Sequence, residues 1–215
     1  MCMYRFVKND NILCKIGYVI VAFFNFFVLY LTGSRTALLP FVLIFPIFLY
    51  CVRWKKLFLT SIVLELCVCG LVFLKPTLIP RMSDMSTFAS RIKIWKTAFI
   101  CISMYPLFGW GPQTYKKFYP LVHGHKAPHA HNIYIDSILS YGVIGTILVL
   151  CYTFVLNKEI FTSNTRKENP ALFGMMMCFI AIVLIYGVLD CTLNIVATGT
   201  LCFIILNSTC MYKEK

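Results

Sequence analysis

Long apolar runs constrain this sequence most strongly, because a soluble helical core would need charged faces between them and these are missing. Six mostly apolar stretches of roughly 17 to 25 residues are long enough to cross a bilayer as helices. They occupy approximately residues 13–32, 36–52, 57–79, 132–156, 171–189 and 193–210. Only 13% of the 215 residues are charged, whereas globular domains average about a quarter. The sequence therefore predicts an all-α polytopic membrane protein, formed as a single membrane domain over residues 1–215.

The first apolar run is expected to remain as a helix. It is too long for a signal peptide, and it ends at Thr32 to Arg35 without a small-residue cleavage pattern. The eleven cysteines lie mostly inside apolar runs, where cysteine behaves as a small hydrophobic residue. No CxxC pair or disulfide framework is visible in their spacing.

Positive charges predict the orientation of the helices. With both termini in the cytoplasm, every short basic connection lies on the cytoplasmic side, as the positive-inside rule expects. The same alternation places the turn at Ser34 and Arg35, the loop 81–131 and the turn 190–194 on the outer face. This extracytoplasmic loop is basic, which long loops tolerate. Its basic residues are Arg81, Arg91, Lys93, Lys96, Lys116, Lys117 and Lys126.

The loop is predicted to contain one helix, over residues 87–104. Ser86 or Thr87 can cap its start, and Pro106 stops it. Its larger apolar residues recur at helical spacing, namely Ile92, Trp95, Phe99 and Ile102. Arg91 stands one turn before Trp95 on the same face. The simplest interpretation is an amphipathic helix on the membrane surface, with its cations reaching lipid phosphates.

All four histidines fall within nine residues, as two His-x-His pairs: His123, His125, His129 and His131. Alternate residues of an extended segment share a face, so a metal site is one interpretation. No Cys, Asp or Glu lies among them, and we therefore predict no metal and favour a base or hydrogen-bonding role. His131 precedes Asn132 at the start of the fourth membrane helix, where a side chain is held firmly. A solvated histidine at the membrane boundary is the alternative.

Arg35 is the third notable residue, because it lies between two apolar runs. An arginine near membrane depth is costly and is normally paired or functional. A snorkelling arginine at a short turn is the alternative. Glu65, Asp136 and Asp190 are kept as structural candidates.

Three segments resemble the O-antigen ligase and O-antigen polymerase superfamily of bacterial membrane glycosyltransferases. The first is the LTGSRTA sequence of residues 31–37. The second is RIKIW at 91–95 leading into PLFGWG at 106–111, and the third is His131-Asn132 leading into YGVIG at 141–145. Family members usually carry more membrane helices, with these motifs in their later half. We therefore expect either a shortened product or helices supplied by another polypeptide.

The resemblance implies transfer of an undecaprenyl-pyrophosphate-linked glycan to an acceptor hydroxyl at the outer face of the bacterial plasma (inner) membrane. The acceptor is a lipopolysaccharide core for a ligase and another repeat unit for a polymerase. Expected partners are this donor, the glycan or lipid-core acceptor, membrane lipids and other polysaccharide-assembly proteins. No cofactor is expected, and nucleic acid is not expected because the positive residues divide between two sides of a membrane.

The resemblance also assigns roles to residues. Arg35 and Arg91 match the family's arginines and would bind the pyrophosphate, which guanidinium groups can hold bidentately. His131 matches the loop histidine and would take the acceptor's proton as the catalytic base. All three are expected to converge on one pyrophosphate, with Ser34, Trp95, His129 and Asn132 as supporting candidates. The outer loop lacks an acidic DxD-type pair, which agrees with a metal-independent reaction.

Two other functions remain open from the residues. A transporter or flippase of an anionic lipid-linked substrate could use the basic outer residues and Glu65, although the two halves show no matching broken helices. The second alternative is a truncated inactive protein or an accessory subunit.

Overall fold

The computed structural model describes residues 1–78, 86–162, 165–191 and 196–208. Within these ranges the regular structure is helical and no residue forms a strand. The helices are α1 Cys2–Lys8, α2 Ile12–Leu31, α3 Arg35–Cys51, α4 Lys55–Leu74, α5 Ser86–Met104, α6 Thr114–Phe118, α7 Ile133–Thr162, α8 Thr165–Glu168, α9 Pro170–Gly187 and α10 Val196–Ser208, with a short 3-10 turn at Pro76–Leu78. Arg81, the end of the 190–194 turn and the C-terminal residues from 209 lie outside the described residues.

Each predicted apolar stretch coincides with a helix. Among the described helices, α2, α4, α9 and the Ile133–Lys158 part of α7 are long and apolar enough to cross a membrane. Helix α3 is shorter, at 17 residues, and contains Pro40 and Pro46. The prediction of an all-α polytopic membrane protein is confirmed.

Contacts divide the chain into two units. The first combines Met1–Ser83 with Ile160–Ile182, and the second combines Asp84–Glu159 with Val183–Lys215. In the first unit, α1 packs against α2 and α3 packs against α4. Its buried core contains Phe48, Val52, Ala171 and Cys178.

The second unit has its core around α5. Its buried residues are Ile94, Ala98, Cys101, Tyr115, Ala127, Ala130 and Leu139. The buried face of α5 is therefore centred on Ile94, Ala98 and Cys101, whereas Ile92 and Phe99 of the predicted face are exposed. Small side chains explain the difference, because they let the rest of the loop approach the helix closely. The loop folds over α5 rather than leaving it as an isolated surface helix.

Helix α7 is broken at Gly142, whose φ of 67° and ψ of −178° are not helical. Residues 106–111 of the loop lie against the break, and four backbone hydrogen bonds join the two segments. The N–H groups of Trp110 and Gly111 donate to the carbonyls of Leu139 and Ser140, over 3.0 and 2.8 Å. The N–H groups of Val143 and Ile144 donate to the carbonyls of Pro106 and Leu107, over 2.9 and 3.2 Å. The loop thus satisfies backbone groups that the broken helix leaves unpaired.

Candidate functional site

The histidine-bearing end of the loop joins α7 through Asn132. The Asn132 side-chain oxygen accepts the N–H groups of Tyr134 and Ile135, each over 3.0 Å, and so caps the helix. Its amide nitrogen donates to the carbonyl of Val188 over 2.9 Å. Asn132 is buried, and it fixes the start of α7 to the residues that follow α9.

His131 lies beside Asp190, which follows α9. Its Nδ1 atom is 3.3 Å from Oδ1 of Asp190, and the two side chains are 28% and 26% exposed. The atoms are not aligned as a linear hydrogen bond, and Nδ1 has no hydrogen-bond partner among the described residues. The pair is therefore mainly an electrostatic contact, shielded from most of the solvent but still open on one side.

Asp190 is held as a carboxylate. Its Oδ1 atom accepts the N–H of Cys191 over 2.8 Å, and its Oδ2 atom accepts the hydroxyl of Tyr186 over 3.3 Å. The contact with His131 is the main cause that lowers the pKa of Asp190 from 3.8 to about 2, and the Cys191 N–H adds to it against the opposing effect of burial. Asp190 is therefore charged near neutral pH, facing the imidazole.

His129 completes the cluster. Its Nδ1 atom accepts the backbone N–H of His131 over 3.2 Å, and the two rings lie 4.2 Å apart at 57°. Burial, followed by the charge of His131, lowers the pKa of His129, which favours its neutral form. His131 itself has a positive φ of 49°, an uncommon conformation for a residue other than glycine.

The two other histidines are placed differently. His123 is exposed, and His125 contributes its backbone, accepting the hydroxyl of Tyr115 over 2.7 Å. Only the second His-x-His pair therefore belongs to the cluster.

A carboxylate from a distant part of the sequence, Asp190, joins the second histidine pair. Candidate ligand atoms of His129, His131 and Asp190 all lie within 4.8 Å of one another. Two histidines with one carboxylate are a ligand set that zinc and non-haem iron use with open positions. The absence of a metal stays a prediction, and these three residues are the ones that could hold one.

Trp95 connects α5 to the histidine segment. Its indole N–H donates to the carbonyl of Ala130 over 3.0 Å, while the N–H of Ala130 donates to Oδ1 of Asp136 over 3.0 Å. Arg91 lies one turn before Trp95, so the two side chains start about 5 to 6 Å apart. Arg91 is half-buried, and within the described ranges its guanidinium makes no hydrogen bond or ion pair.

Ser34 and Arg35 belong to the first unit. Gly33, with a φ of 63°, turns the chain between α2 and α3, and Ser34 is the residue preceding α3. The Ser34 hydroxyl lies 3.3 Å from that of Thr36 and does not cap the helix. The Arg35 side chain is not among those described, and its role stays a prediction.

Sequence reasoning gave Asp190 and Asp136 too little weight. Asp190 is an ionisable residue between two apolar runs, on the face of the membrane predicted for His131. Asp136 lies one helical turn after Asn132, beside the histidine segment. Both signals were present, although hydropathy gives no information on which segments pack together.

Comparisons with known proteins cover the motif-bearing part of the chain. Curated proteins gave no significant match. The family model described as O-antigen ligase matches residues 20–150, which include all three motif segments and His131 but not Asp190. Because this match covers more than half of the sequence, the chain belongs to the O-antigen ligase family.

Proposed function

We propose that the protein transfers a glycan from an undecaprenyl-pyrophosphate carrier to an acceptor hydroxyl at the outer face of the bacterial plasma membrane. Family membership indicates glycan transfer of the O-antigen ligase type. The observation that supports a catalytic role for this chain is the contact of His131 with Asp190, in a cluster that is still partly open to solvent.

His131 is the proposed general base. Asp190 faces Nδ1, so Nε2 is the nitrogen left to take the proton of the acceptor hydroxyl. A new bond forms between the acceptor oxygen and the anomeric carbon of the donor sugar. The bond from that carbon to the pyrophosphate oxygen breaks, and its electron pair leaves with the lipid pyrophosphate. Such a base typically contributes about 100- to 10,000-fold in rate.

Arg91 and Arg35 are proposed to bind the pyrophosphate. Negative charge grows on this leaving group as the sugar departs, and guanidinium groups can hold it bidentately. Arg91 is suited to this because its guanidinium is not engaged by the described residues, while Trp95 fixes the neighbouring turn of α5 to Ala130. For Arg35, the support is the match of its motif to the family.

The proposed orientation has both termini in the cytoplasm and the loop outside. Either a ligase or a polymerase reaction agrees with this arrangement. Analysis of surface glycan in a deletion strain distinguishes them. Single unextended repeat units indicate a polymerase, and complete chains retained on the carrier lipid indicate a ligase.

The mechanism is tested by reconstituting the chain, alone and with its envelope partners, with a lipid-linked donor. We expect His131→Ala to reduce transfer by at least about 100-fold. His123→Ala is the matched control, because it removes an exposed histidine of the same loop. Arg91→Ala should lose more activity than Arg91→Lys, which keeps the charge but not the bidentate geometry. Unchanged transfer in His131→Ala, in a preparation where the wild type is active, refutes the mechanism.

A further inference from the structure

The first unit has a large, partly open apolar cavity between α1, α2, α3 and α4, and some of its lining side chains, such as Leu64, are exposed. Its volume is about 570 Å³, and polar atoms contribute almost none of its surface. The residues that define it include Phe6, Tyr18, Ala22, Phe48, Trp54 and Leu64. This volume lies within the range of roughly 300 to 1,000 Å³ that is typical of ligand pockets.

Among the polar side chains that border the cavity, which include Tyr18 and Glu65, the hydroxyl groups of Thr60 and Ser61 are already satisfied. Thr60 donates to the carbonyl of Lys56 over 2.9 Å, and Ser61 donates to that of Phe58 over 2.8 Å. Water molecules in such a volume would find almost no polar surface on the walls. Water is therefore a poor occupant, and a hydrocarbon chain is a suitable one.

Positively charged residues are sequence neighbours of the residues at one end of the cavity. Lining residues come from the first half of α2, the last turns of α3 and the first half of α4, at the end of these helices away from Ser34. The Lys15 ammonium lies 5.6 Å from the centre of the Phe6 ring, which lines the cavity. Residues 1–15 and 52–58 carry six cations and one acid, namely Arg5, Lys8, Lys15, Arg53, Lys55 and Lys56 against Asp10. We call these six cations the basic rim.

We infer that the cavity binds one acyl chain of an anionic phospholipid, whose headgroup is held by the basic rim. Apolar walls accept the hydrocarbon, and the cations select the charge of the headgroup. The cavity is separate from the Ser34–Arg35 turn, which lies at the opposite end of α2 and α3.

The proposal is tested by counting lipids retained on the purified chain with native mass spectrometry. Phosphatidylglycerol and phosphatidylcholine with identical acyl chains are the two probes. We expect phosphatidylglycerol to be retained preferentially. Neutralising Lys15 and Lys56 together as Lys15→Gln/Lys56→Gln should weaken its binding by about 30-fold, and leave phosphatidylcholine unchanged. Lys93→Gln/Lys96→Gln in α5 is the charge-matched control and should have no effect.

A second variant tests the cavity itself. Ala22→Trp places an indole inside it and should reduce retention of both lipids. If the indole prevents folding, the proposal is tested by the variant of the basic rim, which leaves the cavity intact. Equal retention of the two lipids by the wild type overturns the proposal. Retention of lipid by a folded Ala22→Trp variant also overturns it. If that variant changes its oligomeric state, the cavity is a helix-packing surface.

Discussion

Replacing Gly142 by alanine is expected to detach loop residues 106–111 from α7. A Cβ atom at position 142 would lie closer than 3.0 Å to backbone atoms of Leu107 and Phe108. Backbone atoms cannot move aside by a side-chain rotation. The φ of 67° with a ψ of −178° is also a conformation that is almost restricted to glycine.

The free-energy cost of Gly142→Ala depends on whether the backbone is strained or the loop detaches. Holding alanine in this conformation costs roughly 1 to 3 kcal/mol. If the loop withdraws instead, four backbone hydrogen bonds are lost, at about 0.5 to 1.5 kcal/mol each. The overlap with backbone atoms adds to the strain, so we expect the attached state to weaken by about 3 kcal/mol, which corresponds to about 100-fold.

Hydrogen exchange of the protein in lipid nanodiscs measures this effect. Protection of amides 110, 111, 143 and 144 should fall by about 100-fold in Gly142→Ala, while helix α9 is unaffected. Gly109→Ala should act alike, because its Cβ would meet the backbone of Ser140 and Gly142.

Gly111→Ala separates conformational strain from steric overlap. Gly111 has a positive φ of 92°, but a Cβ there meets nothing within 4 Å. Its cost should be near 1 kcal/mol, or about five-fold in protection. Wild-type protection of residues 110 and 111 in Gly142→Ala would show that the loop does not lie against the break in α7.

Three further predictions concern the cluster around His131. Asn132→Ala should lower the free energy of unfolding by about 2 kcal/mol, because a helix cap is lost and the carbonyl of Val188 is left without its donor. Thermal unfolding measures this change. The control is Asn11→Ala, which removes an exposed cap of α2 and should lower the free energy of unfolding by less. Asp190→Asn should cost about 1 kcal/mol near neutral pH, after allowance for solvent screening. Because the pKa of Asp190 is lowered in the folded state, its contribution is complete above about pH 4 and is lost as the pH falls toward 2, so unfolding curves of the variant and the wild type should converge there. Transfer activity should survive EDTA; loss of activity that zinc or another divalent ion restores would instead assign His129, His131 and Asp190 to a metal site.

The helices could be predicted from the sequence, since hydropathy alone places the spans. Residues 13–32 and 171–189 were expected, and α2 and α9 occupy Ile12–Leu31 and Pro170–Gly187. The break at Gly142 could not be predicted, because a glycine within an apolar run is common in membrane helices and the loop that stabilises the break is distant in sequence. The partner of His131 could not be predicted for a similar reason. Asp190 comes from another turn, and only tertiary packing brings it to the histidine.

The histidine segment is attached through Trp95, Asn132 and Asp190, and this affects how the results of mutagenesis should be interpreted. These supports come from three separate stretches of the chain, and Asp190 lies beyond the region that the family model matches. A screen for inactive but normally produced variants should therefore recover changes at Trp95 and in the residues that follow α9. Mutagenesis limited to the family motifs would overlook the support that reaches His131 from outside them.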